Sequence, residues 1–120
     1  RAGHTPLILI NPVREKPVQV LQPGGTALGM VRSNRFYSLL EPAKIDLVPG
    51  DLLVQFTDGI TEAADSKDEQ FSTERLASFS EKSFGKSPKQ FNDELLTKLQ
   101  AYAGDALRAD DVTLITARRK

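Results

Sequence analysis

An α+β fold, an antiparallel sheet with helices gathered on one face, is what the order of patterns along these 120 residues predicts. Three observations carry that expectation. Up to Phe56 the apolar residues come in short runs or alternate with polar ones, as strands do. Beyond Ala64 the apolar spacing lengthens to three and four, and Ser87-Pro88-Lys89-Gln90 announces a helix with a capping box. A last alternating run, Val112 to Ala117, returns to β.

Taken in order, His4 to Ile10 is a compact apolar run between Pro6 and Asn11-Pro12, consistent with a buried strand. Asn11 to Lys16 would be the hairpin turn to a half-exposed partner, Pro17 to Leu21, in which Val18 and Val20 alternate with Gln19. Pro23 to Gly29, with three glycines, is a loop. Arg35 to Leu40 and Lys44 to Val48 are expected strands, and Pro49-Gly50-Asp51 a tight turn. Leu52 to Phe56 follows at once, apolar enough to be covered on both faces. Ser72 is placed to cap a helix running to about Lys82, with Leu76 and Phe79 inward and Arg75, Ser78 and Glu81 outward. The second helix opens at the capping box, with Pro88 at its first position. It repeats Phe91, Leu95, Leu99 and Tyr102 on one face and closes at Gly104. Such a stripe reads as core rather than as a cofactor slot. The closing strand sets Val112, Leu114 and Thr116 opposite to Thr113, Ile115 and Ala117.

Composition bounds the function. Sixteen basic residues cancel sixteen acidic ones, so no net positive field gathers phosphate backbones, and nucleic-acid binding is not expected. Arg118-Arg119-Lys120 reads as a solvated tail. With no cysteine there is neither a disulfide framework nor thiolate metal ligation, and a cytoplasmic location is expected. The longest aliphatic run, Leu7 to Ile10, is far short of the roughly 20 residues a membrane span needs. The chain begins at Arg1 without an initiator methionine and runs straight into a strand, as a piece of a longer protein would. No repeat, low-complexity tract or linker divides it.

The candidate chemistry lies in two carboxylate segments. Phe56-Thr57-Asp58-Gly59-Ile60-Thr61-Glu62 places Asp58 just past the end of one strand, and Asp110-Asp111-Val112-Thr113-Leu114 places two aspartates just before the start of another. If those strands are antiparallel neighbours, end meets beginning about 4.8 Å away and the carboxylates share an edge. If parallel, a strand of that length would hold them roughly 17 to 20 Å apart. Paired carboxylates suit a hard divalent cation such as magnesium or manganese. Gly59 fits because a side chain there would crowd water and substrate, although an isolated Asp-Gly is far more often a plain turn.

These segments, with Ala2-Gly3-His4-Thr5-Pro6, Gly25-Thr26-Ala27-Leu28-Gly29, Pro49-Gly50-Asp51-Leu52-Leu53 and Phe71-Ser72-Thr73-Glu74-Arg75-Leu76, form an ordered set of six. Together they resemble the C-terminal half of a metal-dependent protein serine/threonine phosphatase of the type 2C class, in the bacterial branch typified by SpoIIE and RsbU. The resemblance implies an antiparallel β-sandwich flanked by helices, with a binuclear manganese or magnesium centre at its edge. There a metal-activated water attacks phosphoserine or phosphothreonine in line, without a covalent phosphoenzyme. It implies Asp58 and Asp110 as direct ligands and as the catalytic residues, with Asp111 ranked second because the family admits a wider range at the next position. It further implies a phosphorylated regulatory protein as substrate, such as an anti-sigma-factor antagonist, and a sensor or response-regulator domain upstream.

Such phosphatases carry another metal-bridging aspartate in an N-terminal half expected before Arg1, so residues 1–120 are expected to bind metal weakly and hydrolyse little alone. Ser72 departs from the family pattern, which has glycine after the phenylalanine. His4, the sole histidine, has the chemistry of a general acid, but a structural hydrogen-bonding role is the stronger expectation. Glu62, four residues past Asp58, reads as packing at a turn or helix start. Two rivals stand beside the enzyme: a phosphatase-like regulatory module that has lost catalysis and docks a partner protein, and a phosphotransferase with an aspartyl nucleophile. The second is disfavoured because Thr57-Asp58-Gly59 lacks the usual second aspartate two residues away.

Overall fold

A computed structural model of the chain describes residues 3–104 and 111–120. Its frame is a four-stranded sheet in the order β2-β1-β3-β4, built from β1 (Leu7–Ile10), β2 (Val18–Leu21), β3 (Leu52–Phe56) and β4 (Leu114–Arg118), every pair antiparallel. The hairpin between β1 and β2 falls where the prolines predict it, closed by the Asn11 amide donating to the Pro17 carbonyl at 2.8 Å. Four helices complete the chain: α1 (Ser33–Leu39), α2 (Asp58–Thr61), α3 (Ser72–Glu81) and α4 (Pro88–Ala103).

The core lies between one sheet face and the helices. Ile8, Ile10, Leu52, Val54 and Phe56 point into it from β1 and β3, and Leu76, Phe91, Leu95 and Leu99 meet them from α3 and α4. Burial of these side chains, at roughly 1.5 to 3 kcal/mol each, is the main force holding helices to sheet. The α4 helix forms as its sequence predicts. Ser87 Oγ accepts from the Gln90 amide, Gln90 Oε1 accepts from the Ser87 amide, and Gly104 ends the helix at φ 56°. This α+β arrangement is the expected one.

Several elements differ from expectation. Arg35 to Leu40 forms no strand, because α1 occupies that stretch. Its aromatic pair Phe36 and Tyr37 favours β locally, yet the segment joins neither edge of the sheet and closes local bonds instead, such as Ser38 Oγ to the Arg35 carbonyl at 2.9 Å. Lys44 to Val48 is likewise irregular. Its last amide, Val48, donates to the Asp51 carboxylate at 2.8 Å rather than to a strand. The second face of β3 is half-buried at Leu53 and Gln55, not fully covered. Ser72 does not cap α3. The N-cap is Phe71, and the Ser72 hydroxyl turns to the Glu74 carboxylate at 2.6 Å. Ser72 also holds φ at 67°, a left-handed conformation that glycine adopts without strain. That is why a family pattern with glycine at this position makes physical sense.

At the start of β3, Asp51 is fully buried and saturated with donors. Arg14 Nε and Nη2 grip its two oxygens at 2.8 and 2.5 Å, Asn11 Nδ2 donates at 2.9 Å and the Val48 amide at 2.8 Å. The bidentate Arg14, ahead of the other donors and against the cost of burial, holds the Asp51 carboxyl well below the usual carboxylate range. This cluster ties the β1–β2 hairpin to the turn before β3.

Candidate metal centre

The antiparallel pairing of β3 with β4, Phe56 opposite Leu114, is the arrangement that a shared carboxylate edge requires. Past the last ladder pair, Thr57 extends the contact with its side chain. Its amide donates to the Thr113 carbonyl at 3.1 Å, its hydroxyl donates to the Asp111 carbonyl at 3.0 Å, and the Thr113 amide donates back to Thr57 Oγ1 at 2.9 Å. This side-chain clamp explains two details. Regular β4 begins at Leu114 rather than Val112, because the Thr113 amide bonds a hydroxyl instead of a backbone carbonyl. Thr57, the N-cap of α2, makes no capping bond of its own, because its oxygen is engaged across the strands.

Asp58 then opens the single turn of α2, and Gly59 brings that turn against the neighbouring strand. A Cβ at Gly59 would lie 2.6 Å from the Asp111 carbonyl oxygen, closer than real Cβ atoms come. The glycine is therefore needed for backbone approach, a more concrete reason than leaving room for substrate. The Asp58 residue is exposed, and its Oδ1 accepts from the Gly59 amide at 3.1 Å. Among the described residues it has no cationic partner. Asp111 is exposed beside it in sequence register, while Asp110 lies outside the described residues. Among the described residues no three acidic or imidazole side chains converge. The donor chemistry nonetheless fits a hard divalent ion, since this edge offers carboxylate and carbonyl oxygens and the chain has no thiol. Asp58 and Asp111 would contribute to its shell with ligands from outside the described residues.

His4 sits at the same edge, ahead of β1. Thr5 Oγ1 donates to the Phe56 carbonyl and accepts from the Gln55 side-chain amide at 3.3 Å, while His4 Nδ1 lies 2.9 Å from Thr5 Oγ1 and 3.1 Å from the Gln55 amide nitrogen. The ring thus meets the side chains of Thr5 and Gln55. Glu62, exposed, is the C-cap of α2, its amide donating to the Asp58 carbonyl at 2.8 Å. Thr57 is the residue the sequence reading passed over. A β-branched hydroxyl just before Asp-Gly at a strand end was the available signal.

The fold is that of a PP2C phosphatase domain. The PP2C domain of SiaA from Pseudomonas aeruginosa superposes with a TM-score of 0.78 at 20% identity, over 96% of this chain and 43% of that one. The PP2C phosphatase domain of the cell fate determinant SpoIIE from Bacillus subtilis, solved with a fragment of its regulatory domain, gives 0.70 at 22% identity, over 99% of this chain and 32% of that one. The phosphatase domain of the same protein, presoaked with Mn, gives 0.64 at 22% identity, over 98% of this chain and 47% of that one. In sequence, residues 1–120 match the family model of Stage II sporulation protein E, and the chain belongs to that SpoIIE family. It is 31% identical over 123 aligned positions to Protein IcfG of Synechocystis sp., and spans 18% of that curated relative's length. No helix among the described residues is long and apolar enough to cross a membrane.

Proposed function

We propose that this chain is the C-terminal portion of a metal-dependent protein serine/threonine phosphatase domain, in which Asp58 and Asp110 ligate manganese or magnesium and Asp111 is the next candidate. The observation that carries the reading is the antiparallel β3–β4 edge, where Gly59 lies against the Asp111 backbone and brings the start of α2, with Asp58, up to the segment that leads into β4. Coverage of 43% and 47% of two solved phosphatase-domain chains supports a chain that is part of a larger domain. A bound divalent ion supplies Lewis-acid chemistry for phosphoester hydrolysis. The chain's own part is positional: Thr57 locks the end of β3 to the start of β4, and Gly59 sets the carboxylate at the rim. His4 is held by Gln55 at the same edge in a supporting role.

The substrate is proposed to be a phosphoserine or phosphothreonine of a regulatory protein, such as an anti-sigma-factor antagonist, with a sensor or response-regulator domain upstream in the same polypeptide and a cytoplasmic location. In the longer protein, Asp58→Asn is expected to lower Mn2+-dependent hydrolysis of a phosphoserine peptide by roughly 100-fold or more, the scale of the transition-state stabilisation a metal centre supplies. Separate Asp110→Asn and Asp111→Asn variants assign the second ligand, the larger loss being expected at Asp110. Hydrolysis undiminished by Asp58→Asn overturns the assignment. Residues 1–120 alone are expected to turn over little, and brisk hydrolysis by them would contradict the proposed missing half.

A further inference from the structure

On the helical side of the molecule, α3 and α4 leave a cleft of about 300 Å³ between them. Its floor is aromatic. Phe71 is fully buried and meets Tyr102 edge to face at 5.4 Å, while Phe79 meets Phe91 in the same way at 5.3 Å. Its rim is cationic, with Arg75, Lys82 and Lys98 against the single carboxylate of Glu74. The cations differ in how they are engaged. Arg75 is paired with Glu69 at 2.9 Å and stacks over Tyr102 at 5.2 Å. Nearby, Lys86 in the connection between the helices and Lys89 on α4 are paired with Glu94 and Asp93. Lys82 and Lys98, both exposed, are in no ion pair among the described residues.

Two unneutralised lysines over an aromatic floor, in a chain of zero net charge, define a narrow class of occupant. A free inorganic anion would find cations but no use for the aromatic floor. An anionic membrane surface is flat and would not fill a concave space sized for one or two side chains. We propose that this cleft docks an acidic segment of a partner protein, which seats one aromatic or large aliphatic side chain on Phe71, Phe79 and Tyr102 and sets flanking carboxylates against Lys82 and Lys98. The inference does not rest on the phosphatase reading.

The test is fluorescence anisotropy of the protein with a labelled peptide carrying one tryptophan flanked on each side by two glutamates. Control peptides carry Glu→Gln throughout or Trp→Ala. The glutamate peptide is expected to bind, and both controls to bind at least about tenfold more weakly. Lys82→Glu combined with Lys98→Glu, and separately Ser78→Trp, which fills the cleft without removing charge, are each expected to weaken binding by about tenfold or more. Lys89→Glu, an exposed change on the same helix, is expected to leave it within about twofold. The proposal is overturned if the glutamate peptide does not bind, if the glutamine control binds as well, or if Lys89→Glu costs as much as the cleft variants. It is equally overturned if phosphatidylserine vesicles bind in a Lys82- and Lys98-dependent way and the peptide does not.

Discussion

The two ends of β3 each carry an aspartate, and they have opposite fates. Asp51, at the start, is fully buried and receives four hydrogen bonds from Arg14, Asn11 and Val48. Asp58, two residues past the end, is exposed and accepts one, from its neighbour Gly59. A carboxylate whose acceptor sites are filled from within the protein holds the fold together and has little left for a ligand. One that is held in place by its backbone, with a single local hydrogen bond to its carboxylate, is suited to receive a cation. The same residue type on the same strand thus serves structure at one end and, on our reading, chemistry at the other.

That contrast can be broken first at its structural end. Asp51→Ala leaves Arg14 and Asn11 without their acceptor and is expected to cost about 3 to 5 kcal/mol, read from urea unfolding. If the loss is under about 1 kcal/mol, the cluster is not what ties the hairpin to β3. At the other end, Gly59→Ala must push the α2 turn away from the Asp111 carbonyl, at about 1 to 3 kcal/mol. In the longer protein its metal-dependent turnover should fall as well, whereas Asp51→Ala should act on turnover through stability alone.

Acid probes the structural end by a different route. The folded pKa of Asp51 is depressed, so its contribution to stability is whole above the unfolded carboxyl value of about 4 and is lost as pH falls below it toward the folded value. The melting temperature should therefore drop between about pH 4 and pH 2, and Asp51→Asn should flatten that part of the curve. An unaltered curve in Asp51→Asn would show that other groups set the acid sensitivity. The smallest effect is expected at Ser72, where glycine relieves the positive φ and should stabilise the chain by about 0.5 to 1 kcal/mol.

Much of this was legible in the sequence because it is local. Proline-bounded β1 and its hairpin, the apolar run of β3 and the capping box of α4 all depend on neighbours within a few residues. The shared edge was legible in a weaker sense, since two strand boundaries with carboxylates fix a geometry once antiparallel pairing is supposed. What was not legible depends on distant partners. Asp51 reads as a turn residue because Arg14 and Asn11 lie 37 and 40 positions away. Arg35 to Leu40 reads as a strand because its residues favour β, and local propensity does not reveal whether a sheet edge will take the segment up. Ser72 reads as a cap because sequence does not reveal backbone handedness. Gly59 was singled out correctly, but the reason, the Asp111 carbonyl, required the strands to be in place.

The most direct measurement is a Mn2+ titration of the isotopically labelled chain followed by paramagnetic broadening of its amide resonances, which detects even weak binding. Broadening centred on Asp58-Gly59 and Asp111-Val112, sparing Val48 to Asp51 and lost in Asp58→Asn, is the expected result. Broadening centred on the Asp65 to Glu69 turn instead, or a pattern that survives Asp58→Asn, would contradict it.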